Sequence, residues 1–319
     1  MRFVGMLVVS GFALTAAEAA AQSYPSKPIR MLVGFTAGGG SDLAARNVAY
    51  KLTEVFGQSV VVDNRTGATG AIAAETVAKA QPDGYTLMML AVAQVVANAF
   101  DDKLQYNTVR DFAAVSYVSR NPYVVAVAPT LTARTVREFI ELAKAQPGKL
   151  NYGSTGIGGS NHLVTELFNS VAGIRLTHVP YKGPPQALAD LAGGHVDLVF
   201  ASITSGLPLA RAGKVRALAI TSLKRSNAAP DVPTVAETMP GFELFGWYGV
   251  VAPKATPAAI VNRLSSAIAQ GLQSAEVRER FAADGSETVG GTPGEFERYI
   301  VSEIARFRQV IRDAGIRRE

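Results

Sequence analysis

The chain of 319 residues contains no cysteine. That removes disulfides, thiol catalysis, lipid anchoring through cysteine and cysteine metal sites together. Histidine is almost as scarce: His162, His178 and His195 show neither an HExxH spacing nor a flanking acidic cluster, which speaks against a metal centre. Charged residues make up only 18% of the chain, and the net charge of +5 is scattered apart from an arginine-rich C-terminal segment. No basic stripe is interleaved with aromatics, so no nucleic-acid partner is expected. Neither a G-x-G-x-x-G dinucleotide fingerprint nor a G-x-x-x-x-G-K-[ST] phosphate loop occurs in the glycine-rich segments, and no cofactor is expected. After the N-terminal segment no apolar run approaches the roughly 20 residues that span a bilayer.

What is present begins with a leader. Met1 and Arg2, the apolar stretch 3–17 and the small-residue run AEAAAQ have the charged, apolar and cleavage-site regions of a secretory signal, with cleavage after Ala19 or Ala21. The expected destination is the periplasm, with residues 1–21 removed. The remainder, 48% hydrophobic over the whole chain, suffices for a sizeable core.

The stretch that organises the rest is Gly34-Phe35-Thr36-Ala37-Gly38-Gly39-Gly40-Ser41-Asp42, which follows the apolar run 29–33. A strand that enters a helix through three adjacent glycines leaves bare backbone N–H groups at the positive end of that helix, an anion-binding geometry. Helical spacing predicts a helix over 41–56, with Gly57 as its stop and Ser41 or Asp42 as its N-cap. A strand at 60–62, a turn at 64–70, an alanine-rich helix at 71–80 and a strand at 85–90 complete a β-α-β-α-β unit. Extended segments at 115–118 and 123–128 flank Asn121-Pro122, and a helix is expected over 136–145. The opening architecture then returns: a short strand at 150–152, the loop Gly153-Ser154-Thr155-Gly156-Ile157-Gly158-Gly159-Ser160-Asn161, a helical stripe closed by Gly173, a strand at 174–179, a helix at 185–191 and a strand at 196–200. Asp42 and Asn161 stand at equivalent places after the glycines. Beyond a strand at 215–221 and an extended segment at 245–251, helices are expected at 257–272 and 293–314.

Two α/β lobes each offering one glycine loop would bury a ligand between them. One helix terminus contributes about 0.3 to 2 kcal/mol towards an anion and each hydrogen bond to a charged group about 1.5 to 3. Micromolar affinity needs about 8 kcal/mol, which two closing loops reach and one hardly does. The competing reading is a periplasmic serine hydrolase acting on a small ester or amide, with Ser160 or Ser154 as nucleophile and His162 as base. Tyr152-Gly153-Ser154-Thr155-Gly156 misses the G-x-S-x-G elbow, however, since its serine directly follows the glycine.

Five segments in order, YPSKPIRMLVGFTAGGGSD, VVVDNRTGATGAIAAETVAKAQPDGYTLMML, NYGSTGIGGSNHL, HVPYKGPPQALADLAGGHVDLVF and GWYGVVAPKATP, closely resemble the periplasmic substrate-binding receptors of tripartite tricarboxylate transporters, the Bug receptors. The resemblance covers essentially the whole mature length. It implies an α/β fold, a two-lobed periplasmic binding protein of type II ("Venus flytrap"), each lobe a mostly parallel sheet flanked by helices. Residues 22–122 and 252–319 would form the first lobe and 123–251 the second. The expected function is capture of a small carboxylate (a di- or tricarboxylate, amino acid or aromatic acid) by a monomeric, non-enzymatic receptor that delivers it to membrane permease subunits. Carried over by position, the ligand-binding candidates are Phe35, Thr36, Gly39, Gly40, Ser41 and Asp42 in the first loop. The second loop supplies Ser154, Thr155, Gly158, Ser160 and His162, and Ser202 lies beyond a later strand. Two departures bear on the pocket. Thr36 and Thr66 stand where the family commonly has proline, and Ala91-Val92-Ala93 lacks the hydroxyls often found there, which turns the far end of the pocket apolar.

Overall fold

A computed structural model of the chain describes residues 24–316 except 102, 157, 158, 182 and 284. The expected leader and Gly158 therefore lie outside the described residues.

Strands β1 (Ile29–Val33), β2 (Val60–Asn64) and β3 (Thr86–Ala91) run parallel, linked by helices α1 (Gly40–Phe56) and α2 (Ala71–Ala78). Helix α3 (Val92–Phe100) follows directly, where the sequence carried no helix expectation. The long strand β4 (Phe112–Val127) comes next, then α4 (Val136–Ala145), whose Thr135 accepts a bond from the Glu138 N–H as its cap. A second parallel group consists of β5 (Asn151–Ser154), β6 (Thr177–Pro180) and β7 (Leu198–Ser202), linked by α5 (Ser160–Ala172) and α6 (Pro184–Ala192). Helix α7 (Ile203–Arg211), β8 (Arg216–Ile220), β9 (Phe245–Pro253), α8 (Ala258–Gln273), α9 (Ala275–Ala283), the short β10 (Glu287–Thr288) and α10 (Pro293–Asp313) complete the described chain.

The strand order β2-β1-β3-β9-β4-β7-β5-β6 shows how the two halves join. Residues Phe112 to Pro122 of β4 run antiparallel to β9, whereas Tyr123 to Val127 pair with β7 and β8. The two extended segments expected around Asn121-Pro122 are thus one strand serving two sheets. Proline fits the change of partner because it has no N–H for a ladder to require. β9 lies between β3 and β4, so the chain rejoins the first sheet at Phe245, before the crossing expected at residue 252. Each sheet keeps three parallel strands and adds antiparallel ones, since a chain crossing between lobes must run back against its neighbours.

Strands covered on both faces read as nearly continuous apolar runs. Met31 and Val33 face a core with α1, α8 and α9, while Leu32 faces another with α2, α3 and α10. β4 does the same in the second sheet, with Val125 and Val127 on one side and Val124 and Ala126 on the other. One side chain breaks the separation of the halves. Leu163 of α5, fully buried, packs into the first-sheet core with Trp247, Phe296 and Phe307. Trp247 in turn donates to Glu303 at 3.1 Å, and Arg306 of α10 reaches the Glu243 carbonyl just before β9.

Leu163→Ala should therefore cost about 2 to 5 kcal/mol, as buried leucines do, measured by urea unfolding. It should also shift the emission of the single tryptophan. An effect near zero on both would show that α5 does not share the first core.

Candidate functional site

Around their helix caps the two glycine loops share a hydrogen-bond pattern. In the first, the Gly39 N–H donates to the Thr36 carbonyl at 3.3 Å and the Leu43 N–H to the Gly39 carbonyl at 3.0 Å. In the second, Gly159 donates to Gly156 at 3.1 Å and Leu163 to Gly159 at 3.1 Å. Gly38 (φ +80°) and Gly156 (φ +109°) take the left-handed backbone that these turns need. Glycines Gly39 and Gly159 are the N-caps, and neither helix has a side-chain cap. The expected capping by Ser41 or Asp42 is corrected accordingly. Both lie inside the first turn of α1, and a capping side chain must come from outside it. The uncapped N–H groups of each first turn remain at the mouth of their loop.

The pairing of loops shifts by one residue. Counted from the cap, Ser160 matches Gly40, Asn161 matches Ser41 and His162 matches Asp42, so Asp42 and Asn161 are not equivalent. They serve the same end from neighbouring positions. Asp42, buried, accepts from the Gly38 N–H at 2.9 Å, from Arg46 Nε at 2.8 Å and from Asn64 Nδ2 at 3.0 Å. Asn64 also donates to the Phe35 carbonyl at 2.9 Å. Burial alone would raise the Asp42 pKa, but the bonds from Arg46, Gly38 and Asn64 outweigh it and hold the carboxyl below its usual range. In the second loop Asn161 Oδ1 accepts from the Thr155 hydroxyl at 2.8 Å and from its N–H at 3.2 Å. Each loop is thus tied back to its own helix by one buried polar side chain.

The candidates divide by accessibility. Thr36 is exposed, and Phe35, Gly39, Gly40, Thr155, Ser160 and Ser202 are partly so. Ser41, Asp42, Ser154 and His162 are buried. Ser202 precedes α7, with its hydroxyl 2.7 Å from that of Ser205. Ser154 pairs with His178 rather than His162: Oγ lies 2.6 Å from Nε2 and also accepts from the Gly156 N–H at 3.1 Å. His178 and His162 lie 4.2 Å apart by ring centroid, beside Tyr152, whose hydroxyl donates to Glu166 at 2.5 Å. Two histidines separated in sequence are brought into contact because α5 packs over β5 and its neighbour β6.

Four further polar residues were not among the sequence candidates. Asn64 lies within a quoted family segment and next to a turn, a weak signal. Tyr123, on β4, has the Ser160 side chain as a neighbour, and Tyr248, on β9, lies against Gly40. Gln94 of α3 is buried, its Oε1 accepting from the Ala91 N–H at 2.9 Å. None of these three carries a spacing signal, because each reaches a loop distant in sequence.

Burial, and next the neighbouring His178, push the His162 pKa down from 6.5 to about 4. Between those values the unfolded chain binds more protons than the folded one, so stability present above pH 6.5 declines as pH falls towards 4. Thermal melts from pH 7 to 4.5 should show this loss, and His162→Gln should flatten the pH dependence. Parallel curves for the two proteins would refute the assignment.

Comparison with known proteins places this geometry. Residues 44–316 match the family described as tripartite tricarboxylate transporter family receptor. Protein BugT of Bordetella pertussis is 37% identical over 322 aligned residues, covering 99% of each chain. A Rhodopseudomonas palustris protein solved with adipate superposes with a TM-score of 0.83 at 38% identity, covering 92% of this chain and 99% of its own. MatC from Rhodopseudomonas palustris, solved with bound malate, gives 0.78 at 30% identity and covers 90% and 100% respectively. Together with the duplicated loops and the shared β4, these likenesses settle the fold as the two-lobed periplasmic binding protein type, and the chain belongs to the tripartite tricarboxylate transporter receptor family, the family of the Bug proteins.

Proposed function

We propose that the protein is an exported, monomeric receptor that closes its two lobes on a small organic carboxylate and delivers it to the membrane permease of a tripartite tricarboxylate transporter. The observation that carries this reading is the duplicated loop: two uncapped helix N-termini, each opened by a left-handed glycine and braced by a buried polar side chain. Such ends favour a negative charge, and the bracing means that little ordering remains to be done on binding. The acids bound by the two Rhodopseudomonas palustris proteins support the carboxylate class. The leader read from residues 1–21 supports export.

Within the site, accessibility sorts the roles. Phe35, Thr36, Gly39, Gly40, Thr155, Ser160 and Ser202 would meet the ligand, with Gly158 in the same loop as Thr155. Ser41, Asp42, Ser154 and His162 would act from below by fixing the loops. The hydrolase alternative loses its support here. Ser154 has its histidine neighbour but is fully buried, out of reach of a substrate carbonyl. The His162 ring lies against His178 and Tyr152.

Isothermal titration of the mature protein with aliphatic, hydroxy and aromatic carboxylates should reveal at least one ligand of micromolar affinity or better. Silence across the panel from folded protein would sink the proposal. Gly39 has an ordinary φ of −79°, and an added Cβ would meet only the Thr36 carbonyl, at 3.3 Å. Gly39→Val should therefore abolish binding while lowering the melting temperature of the free protein only slightly. Equal loss of both would show that this glycine serves the backbone alone.

A further inference from the structure

His178 stands outside both glycine loops, on β6, yet it is bonded to the second of them. In the register of β5 and β6 it pairs with Tyr152, so its ring lies on the α5 side of the sheet, where Ser154, two residues further along β5, also projects. Ser154 Oγ lies 2.6 Å from His178 Nε2, accepts the Gly156 N–H at 3.1 Å and stands 3.2 Å from the Gly156 carbonyl oxygen. That carbonyl receives the N–H of Gly159, the N-cap of α5. One imidazole thus supports the loop backbone through a single hydroxyl, at the left-handed residue that sets the turn.

The hydroxyl has one proton and two acceptors within reach. The shorter contact takes it, so a neutral His178 accepts at Nε2 and carries its own proton on Nδ1. If the ring gains a proton, Nε2 becomes the donor and the hydroxyl turns to the Gly156 carbonyl, with the Gly156 N–H still bonded. Both protonation states therefore fit the same loop, and charge decides between them. The ring of His162, third residue of α5, is 4.2 Å from that of His178, which places His178 near the positive end of the helix. Burial lowers the His178 pKa, and the helix terminus also opposes an imidazolium there. A carboxylate bound at that terminus would reverse the balance.

The surrounding groups leave His178 as the one that responds. His162 is buried whereas His178 is half-buried, and two imidazolium rings in contact repel each other. Tyr152 keeps its phenolic proton, because burial and Glu166 both raise its pKa. Glu166, the only carboxylate of α5, is bonded by Tyr152 and by Asn169. α4 and β7 face this core with Phe139, Leu198 and Phe200, and Asp190 of α6 bonds Tyr181 on the opposite face of the sheet.

We propose that His178 is a positioning residue of the second loop, and that it takes up a proton from solvent when a carboxylate binds at the start of α5. This rests on the carboxylate-receptor reading above. Because the complex then holds more protons than the free protein, affinity should rise, by at most about tenfold per pH unit, as pH falls from about 8 to about 6.

The test uses the mature protein with adipate and malate as probes. Titration calorimetry at about pH 6.5 in buffers of different ionisation enthalpy counts the protons exchanged on binding. The parent should take up more protons per ligand than His178→Gln, a comparison that cancels protons taken up by the acid itself. His178→Gln keeps an acceptor for Ser154 without a titrating group, so it should bind within about threefold of the parent at about pH 8 and lose the rise at lower pH. His178→Leu removes the acceptor and should weaken binding about threefold to tenfold across this pH range, the effect of one neutral hydrogen bond. Nitrogen NMR should show the proton of free His178 on Nδ1, and a doubly protonated fraction that grows as ligand is added. Equal proton uptake by the parent and His178→Gln, or a ring that stays neutral in the complex, would overturn the assignment while leaving the receptor function intact. Absence of carboxylate binding by the parent would overturn both.

Discussion

The structure depends on the antiparallel ribbon formed by β4 and β9. β4 is the only described strand that pairs in both sheets, and β9 holds it to the parallel strands of the first. Their junction is tied by Thr221. Its hydroxyl accepts from the Tyr123 N–H at 2.8 Å and donates to the Leu244 carbonyl at 2.6 Å, joining the outgoing and returning chains where the ladder changes partner. Hydrogen bonds buried this deeply are costly to lose, because no water replaces them. The ribbon therefore fixes where each lobe begins, and it also carries Tyr123 and Tyr248 to the first residues of α5 and α1.

Around that ribbon the two halves reach the same solution with different side chains. A carboxylate braces the first loop and a carboxamide the second. Asp42 needs Arg46, Asn64 and a backbone N–H to stay ionised against burial, whereas Asn161 has no charge to stabilise. Accordingly the first lobe holds its own anion close to the site, neutralised by an exposed arginine, so the field at the α1 terminus remains suited to an anionic guest. The second lobe instead packs neutral aromatic groups beneath its loop, where burial lowers the pKa of both His162 and His178 and favours their uncharged forms.

Much of this was legible in the sequence because it rests on local rules. The 3.6-residue stripe and the Gly57 stop mark α1, apolar spacing marks α4, and the run of Phe296, Ile300 and Phe307 marks α10. The duplicated glycine loops show at once, since a left-handed turn before a helix requires that composition. Helices α3 and α7 did not show. The stretch from Val92 to Phe100 is apolar on most sides, and α7 contains Pro208, so neither presents a clean periodic face. The unity of β4 was hidden for a related reason: proline reads as a break unless the partner strands are known.

The site divides along the same line. Residue types within each loop were determined by the sequence, because glycine, serine and asparagine near a helix start answer to backbone geometry a few residues away. Tertiary structure alone decided which of them face outward and which lie buried, that Ser154 meets His178, and that Tyr248 and Gln94 reach the loops at all. Those contacts join residues brought together by sheet order and strand crossing. Side-chain chemistry states what a group can bond, but only the packed fold determines what stands within its reach.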